Sequence, residues 1–265
     1  MLDMPSSSLC FGDARVSALV SKAERGQWLV SETQGWDEKT TIPWWLPGKF
    51  YADVISQFYH GELATIRMCT KLLDTITDPV ARRCVVLQIA DEERHAEVYL
   101  NYLQGIGPLQ PMHPTLKAAY EKALSWGDGD GGVGLMMAAF TIILEAEAHY
   151  ALTYLGRWFR CQKFRRINAL VCRDEARHLA FGRFYLERVF KDCDKQKRMQ
   201  TYRLLKGLWQ DTVMGLLDRF WIPNFLLRRR CRSWVDTGWQ DHRKVLMGIG
   251  LVSYEEARLA DRVAI

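Results

Sequence analysis

Two stretches decide the reading of this chain: IADEERHAEVY (Ile89–Tyr99) and VCRDEARHLAFG (Val171–Gly182). Both carry the frame Asp-Glu-x-Arg-His in the middle of an apolar segment. Val85, Val86, Leu87 and Ile89 surround the first, and Ala169, Leu170 and Val171 precede the second. On a helix, positions i and i+3 share a face, so Glu92 with His95, and Glu175 with His178, each deliver a carboxylate and an imidazole to one point. An ionised carboxylate left unpaired in a core costs several kcal/mol. A bound cation removes that cost.

This reading predicts further carboxylates on the preceding helices. Glu62 (FYHGELATI) stands 30 residues before Glu92, and Glu145 (TIILEAEAHYAL) stands 30 before Glu175. Glu147 gives a spacing of 28 and is the alternative ligand on that helix. One offset of 83 residues superposes Glu62, Glu92 and His95 on Glu145, Glu175 and His178. The pattern predicts two helical hairpins of one kind about a pseudo-two-fold axis. Four carboxylates and two imidazoles form a hard, oxygen-rich donor set, suited to a pair of iron or manganese ions and not to a structural zinc.

The rest of the chain fits an all-α protein. Gly and Pro divide it into long segments without strand alternation. Helices are expected over 48–77, from an Asp78 cap with Pro79 in the first turn to about 105, and over 115–126, 134–160, 164–190 and 194–220. Two or three shorter helices should follow. Residues 1–47 read as an irregular lead-in packing on the bundle, 48–190 as the four-helix bundle, and 191–265 as additional helices of the same domain.

The 265 residues are 48% hydrophobic and 25% charged, the profile of a globular protein with a full core. A formal charge of +5 is too mild to call for nucleic acid. Seven cysteines form no C-x-x-C pair, which favours reduced thiols and a cytoplasmic setting. No signal-peptide run opens the sequence, and the longest apolar stretch, 133–144, is short for a membrane span. The DGDGG run at 128–132 lacks the closing acid of a calcium loop. LLRRRCR (226–232) reads as a solvated helix end, or as a contact for an acidic partner.

The ligand set resembles that of the ferritin-like di-iron carboxylate superfamily, in which two helices each give a Glu and two give Glu-x-x-His. The Asp-Glu-x-Arg-His framing is similar to that of bacterial multicomponent monooxygenases, acyl-carrier desaturases and ribonucleotide reductase small subunits. The resemblance spans about residues 50–190. It implies a ferritin-like bundle, two irons (or an iron–manganese pair) and dioxygen as co-substrate. The implied activity is hydroxylation, desaturation or other oxidation of a small or carrier-bound organic substrate. A ferredoxin or reductase would supply electrons, and a homodimer is expected.

Ligating histidines commonly donate their second N–H to a carboxylate. Asp91 and Asp174 are the expected acceptors, and the resemblance implies that each serves the histidine of the opposite hairpin. Arg94 and Arg177 would neutralise them, and His149 would stand behind Glu145. Among residues beside the ligands, Thr65, Thr141 and Tyr99 are candidates for a part in the chemistry. Tyr99 matches the radical-tyrosine position of reductase small subunits, or is a core tyrosine bonded to a ligand. Two features depart from relatives. Glu62 stands where reductase subunits usually have Asp, and Val171 stands where arylamine N-oxygenases carry an extra histidine. Iron handling or peroxide detoxification, as in ferritins and manganese catalases, is the competing class, with arylamine N-oxygenation a further alternative.

Overall fold

The computed structural model describes residues 13–33, 37–42, 44–45, 47–129, 132–217 and 224–262, with side chains left out over 217–234. Among these residues there are helices and no strands. In chain order they are α1 (Ala14–Arg25), a 3-10 turn (Val30–Glu32), α2 (Gly48–Leu73), α3 (Pro79–Leu103) and α4 (Pro114–Trp126). Then come α5 (Gly132–Ala138), a π-helical turn (Ala139–Leu144), α6 (Glu145–Trp158), α7 (Gln162–Lys191), α8 (Lys195–Leu217), α9 (Asn224–Gly248) and α10 (Tyr254–Arg262).

The described residues divide into two compact units, one of 13–113 and 144–181, the other of 114–143 and 182–262. Two of these divisions, after 143 and after 181, fall within helical segments. The first unit holds α1, α2, α3, α6 and α7 as far as Phe181. Its core is aromatic: Tyr51 and Tyr102 share a hydrogen bond of 2.8 Å, and Phe159 packs 4.4 Å from the Tyr51 ring. Tyr99, Val98, Leu152, Phe164 and Val171 belong to the same buried cluster.

Local signals account for the helix starts. Asp78 Oδ1 accepts the N–H groups of Val80 and Ala81 at 2.8 and 3.1 Å, satisfying donors that α3 leaves open at its N-terminus. Pro79, which has no N–H to satisfy, follows it. Ser253 and Glu256 start α10 with reciprocal side chain to backbone bonds of 3.2 and 2.8 Å.

Three expectations are corrected. The lead-in is not wholly irregular. Its Val16, Leu19, Val20 and Ala23 form a buried stripe at helical spacing, which makes α1. The expected helix over 134–160 is interrupted by the π turn, where side-chain periodicity slips by one residue. In the tail, the first helix, α9, runs to 25 residues where a shorter one was expected, and α10 follows it as the second. The many arginines and lysines of α9 hide an apolar face that includes the buried Val235, Trp239 and Leu246. The side chains of the LLRRRCR run lie outside the described residues, as do Cys10, Asp130, Gly131, Cys231 and the first twelve residues of the lead-in.

The second unit comprises α4, α5, most of the π turn, the end of α7, and α8–α10. Asp261 of α10 is its polar clamp, accepting from Tyr202, Lys206, Trp239 and Arg243 at 2.9–3.3 Å. The stretch Gly132–Trp158 is long and apolar enough to cross a membrane, but 67% of its most apolar window is buried inside the protein, as in a soluble core helix. Cys69, Cys84, Cys161, Cys172 and Cys193 are free thiols.

Candidate metal centre

The six glutamates and histidines singled out by spacing all lie in the first unit, and all are buried. Glu62 projects from α2, Glu92 and His95 from α3, Glu145 from the first turn of α6, and Glu175 and His178 from α7. One ligand atom each of Glu62, Glu92, His95 and Glu175 falls within 4.8 Å of the others, a group able to hold a metal ion. His95 Nδ1 is 3.1 Å from Glu175, 3.5 Å from Glu92 and 4.0 Å from Glu62. His178 Nδ1 is 3.1 Å from Glu92 and 3.6 Å from Glu175. The two histidines thus face the same pair of carboxylates from opposite sides, 6.1 Å apart between ring centroids.

Each imidazole is fixed from behind. His95 Nε2 lies 3.4 Å from Asp174, and His178 Nε2 lies 3.1 Å from Asp91, so each aspartate reaches the histidine of the other hairpin. An Nε2–H donated outward leaves Nδ1 as a lone pair pointing into the cluster. Arg177 donates to Asp174 at 2.7 Å and to Asp91 at 2.9 Å. Arg94 bonds Asp91 and lies 3.8 Å from Asp174.

Burial pushes the Asp91 and Asp174 carboxyls toward the neutral form. Hydrogen bonds from His178 and from His95 respectively, with the neighbouring arginine charge, outweigh burial and hold both carboxyls below the usual range. Both carboxyls are therefore ionised acceptors.

Electrostatics within the cluster favour added positive charge. Burial, then the charges of Glu92 and Glu175, push the Glu62 and Glu145 carboxyls well up. Burial alone would lower the two imidazoles, but the Asp174, Glu175 and Glu92 carboxylates around it raise His95. The charges of Glu92 and Glu175 do the same for His178. Glu92, also opposed by burial, is held well down by the His178 charge. The assembly draws in positive charge. Moreover, Glu92 Oε2, Glu145 Oε2 and both Nδ1 atoms are buried without hydrogen-bond partners. Four orphaned donor atoms converging in a core fit a metal centre, because two divalent cations would neutralise four carboxylates.

The other expected residues are distributed unevenly. Thr65 is buried, and its hydroxyl acts to lower the Glu145 carboxyl. Tyr99 is fully buried with its hydroxyl unpartnered, its ring 5.7 Å from Phe58, and its acidity suppressed by burial and then by the Glu62 charge. Glu145 is buried while Glu147 is half-buried, as is His149 one turn beyond Glu145. Thr141 belongs to the second unit, where it is buried against Gly182. Glu62 and Glu175 keep 10% and 7% of their side-chain exposure against 1% for Glu92, which puts the more open side of the cluster at α2, beside half-buried Phe58, Tyr59 and Ile66.

Three participants escaped the sequence reading. Trp28 Nε1 donates to Asp174 at 2.7 Å, and Gln27 bonds Asp91 at 3.4 Å and accepts from Arg94 at 2.9 Å. The Trp28 ring also lies 5.0 Å from the Arg94 guanidinium. Gln88 donates to Glu92 at 3.1 Å and to Glu145 at 3.5 Å. Only Gln88 left a usable signal: it stands one helical turn before Glu92 and so shares its face.

No family model and no curated protein matches this sequence. Among solved structures, the chain is similar to dimanganese(II)-NrdF of Streptococcus sanguinis, with a TM-score of 0.65 over 91% of this chain and 90% of that one, at 14% sequence identity. The chain has the all-α, ferritin-like fold of that protein.

Proposed function

We propose that the cluster holds two divalent ions of iron or manganese and that the protein is a di-metal oxidoreductase, which uses dioxygen to oxidise a small or carrier-bound organic substrate. The observation that carries this reading is the convergence of two outward-tethered imidazoles, with unpartnered Nδ1 atoms, on four buried carboxylates. The dimanganese form of the structural neighbour supports manganese as an occupant beside iron.

Glu62, Glu92 and His95 would hold one ion and Glu145, Glu175 and His178 the other. Ions held there supply the redox chemistry of dioxygen activation. The protein's part is positional. Asp174 and Asp91 aim the imidazoles inward, Arg94 and Arg177 keep those aspartates ionised, and Thr65 orients Glu145. A substrate would approach at the open α2 side, past Phe58, Tyr59 and Ile66, whose apolar surface suits an organic molecule. Tyr99, with a free hydroxyl beside the carboxylates, is the proposed residue in contact with the chemistry. Electrons would come from a ferredoxin or reductase, and the working form would be a cytoplasmic homodimer.

The test is an anaerobic load with ferrous iron, then an oxygen pulse with a chemical reductant and a panel of acyl, aryl and amine substrates, followed by mass spectrometry. A product heavier by one oxygen, or lighter by two hydrogens, is the expected result. Oxygen consumption that only accumulates ferric mineral would assign the protein to iron handling. Absence of any oxygen uptake would contradict both.

A further inference from the structure

The pseudo-two-fold that relates the two hairpins is broken beside the candidate ligands at several positions, among them Thr65 against Ala148 and Tyr99 against Gly182, and one of these breaks places a donor on a candidate ligand. Gln88, one turn before Glu92, corresponds under the 83-residue offset to Val171, one turn before Glu175. Both side chains are buried. The Gln88 amide donates to Glu92 Oε1 and reaches Glu145 Oε1, whereas valine has nothing to donate. Glu92 Oε1 is also the oxygen 3.1 Å from His178 Nδ1, so the positive end of the amide dipole sits against the His178 side of the cluster. On the other side, the donors of Glu62, Glu92, His95 and Glu175 are already gathered, and Glu145 stands outside that group.

We infer that Gln88 makes the two metal positions unequal, so that a divalent cation occupies the His95 position first and the His178 position second and more weakly. The inference rests on the proposed metal centre and adds an order of filling and the residue that sets it. The physical reason is local. A cation at His178 must share Glu92 Oε1 with an amide N–H whose positive end repels it, while a cation at His95 meets no such donor. Gln88 is a positioning residue, acting through Glu92 and Glu145.

Manganese(II) titrated anaerobically into the metal-free full-length protein, followed by calorimetry and electron paramagnetic resonance, reads both steps. Wild type should show a first ion with an isolated six-line signal and a second that converts it to a coupled spectrum, the affinities differing by about tenfold or more, the size of one charge-assisted hydrogen bond. Gln88→Leu and Gln88→Met remove the donor at nearly constant volume, and circular dichroism on the metal-free proteins checks their folding. Both should tighten the second step and bring the two affinities within about threefold. Two equal sites in wild type, or an unchanged gap in both folded variants, would overturn the inference while leaving the metal centre standing. A wild type that takes up no manganese and no ferrous iron would remove the metal centre itself, and this inference with it.

Discussion

Asp174 receives Trp28, His95, Arg173 and Arg177, and Asp91 receives Gln27, Arg94, Arg177 and His178, so each buried aspartate collects donors from several parts of the chain. Removing one leaves two arginines and an imidazole facing an apolar core. Asp174→Asn keeps the shape and loses the charge, and it should weaken manganese binding about 10- to 100-fold, read by the same titration. Equal affinity would mean that the aspartate does not orient His95.

Tyr99 offers a contrary case, because its hydroxyl is buried and unpartnered. Deleting an unsatisfied polar group is neutral or favourable, so Tyr99→Phe should leave the melting temperature of the metal-free protein unchanged or higher while lowering oxygen-dependent turnover. A clear loss of stability would show instead that the hydroxyl has a partner. At this scale the gathering of the six candidate ligands was readable because helical periodicity is local and the frame occurs twice. Trp28 was not, since it reaches Asp174 across 146 residues and nothing near it in sequence marks the meeting.

Among the elements, those with chemical punctuation were readable. α3 begins where Asp78-Pro79 says it should, and α2 begins at Gly48. The π turn was not readable, since AFTIIL is uniformly apolar and its face cannot be assigned by period. α9 was misread for a related reason: the basic residues in its sequence obscure the apolar period of Val235, Trp239 and Leu246, and the Trp209 indole N–H donates to the Val235 carbonyl at 2.8 Å.

The clamp on α10 makes a pH prediction. Burial would raise the Asp261 carboxyl, but the Lys206 hydrogen bond and charge, with Tyr202 and Arg243, lower it below the ordinary aspartate value. A depressed carboxyl stabilises the fold above the unfolded-state value of roughly 3.9 and loses that contribution as pH falls through the folded-state value. Asp261→Asn should therefore destabilise by about 2 kcal/mol at neutral pH, with the difference from wild type shrinking below about pH 4 in urea titrations. A difference that persists unchanged in acid would contradict the ionic account.

For the whole molecule, the repeated hairpin explains both the fold and the site. Two copies of Glu…Glu-x-x-His can bury their acids only by facing one another, which brings α2, α3, α6 and α7 of the first unit together around the cluster. The residues outside the repeat were harder to place from sequence, because Gln27 and Trp28 gain meaning only once α1 packs on α3. Shortening the chain to begin at Gln34 removes α1, Gln27 and Trp28. It should cost manganese affinity even if helicity is retained, with titration and circular dichroism deciding between loss of site and loss of fold.

The central claim is that the six buried side chains are metal ligands. Elemental analysis of purified protein, loaded with manganese(II) or ferrous iron without oxygen and freed of excess metal, tests it most directly. Two ions per chain in wild type, with a stoichiometric loss in Glu92→Ala and in His178→Ala, is the predicted result. Protein that retains no metal, or binds equally well without Glu92 and His178, would contradict it.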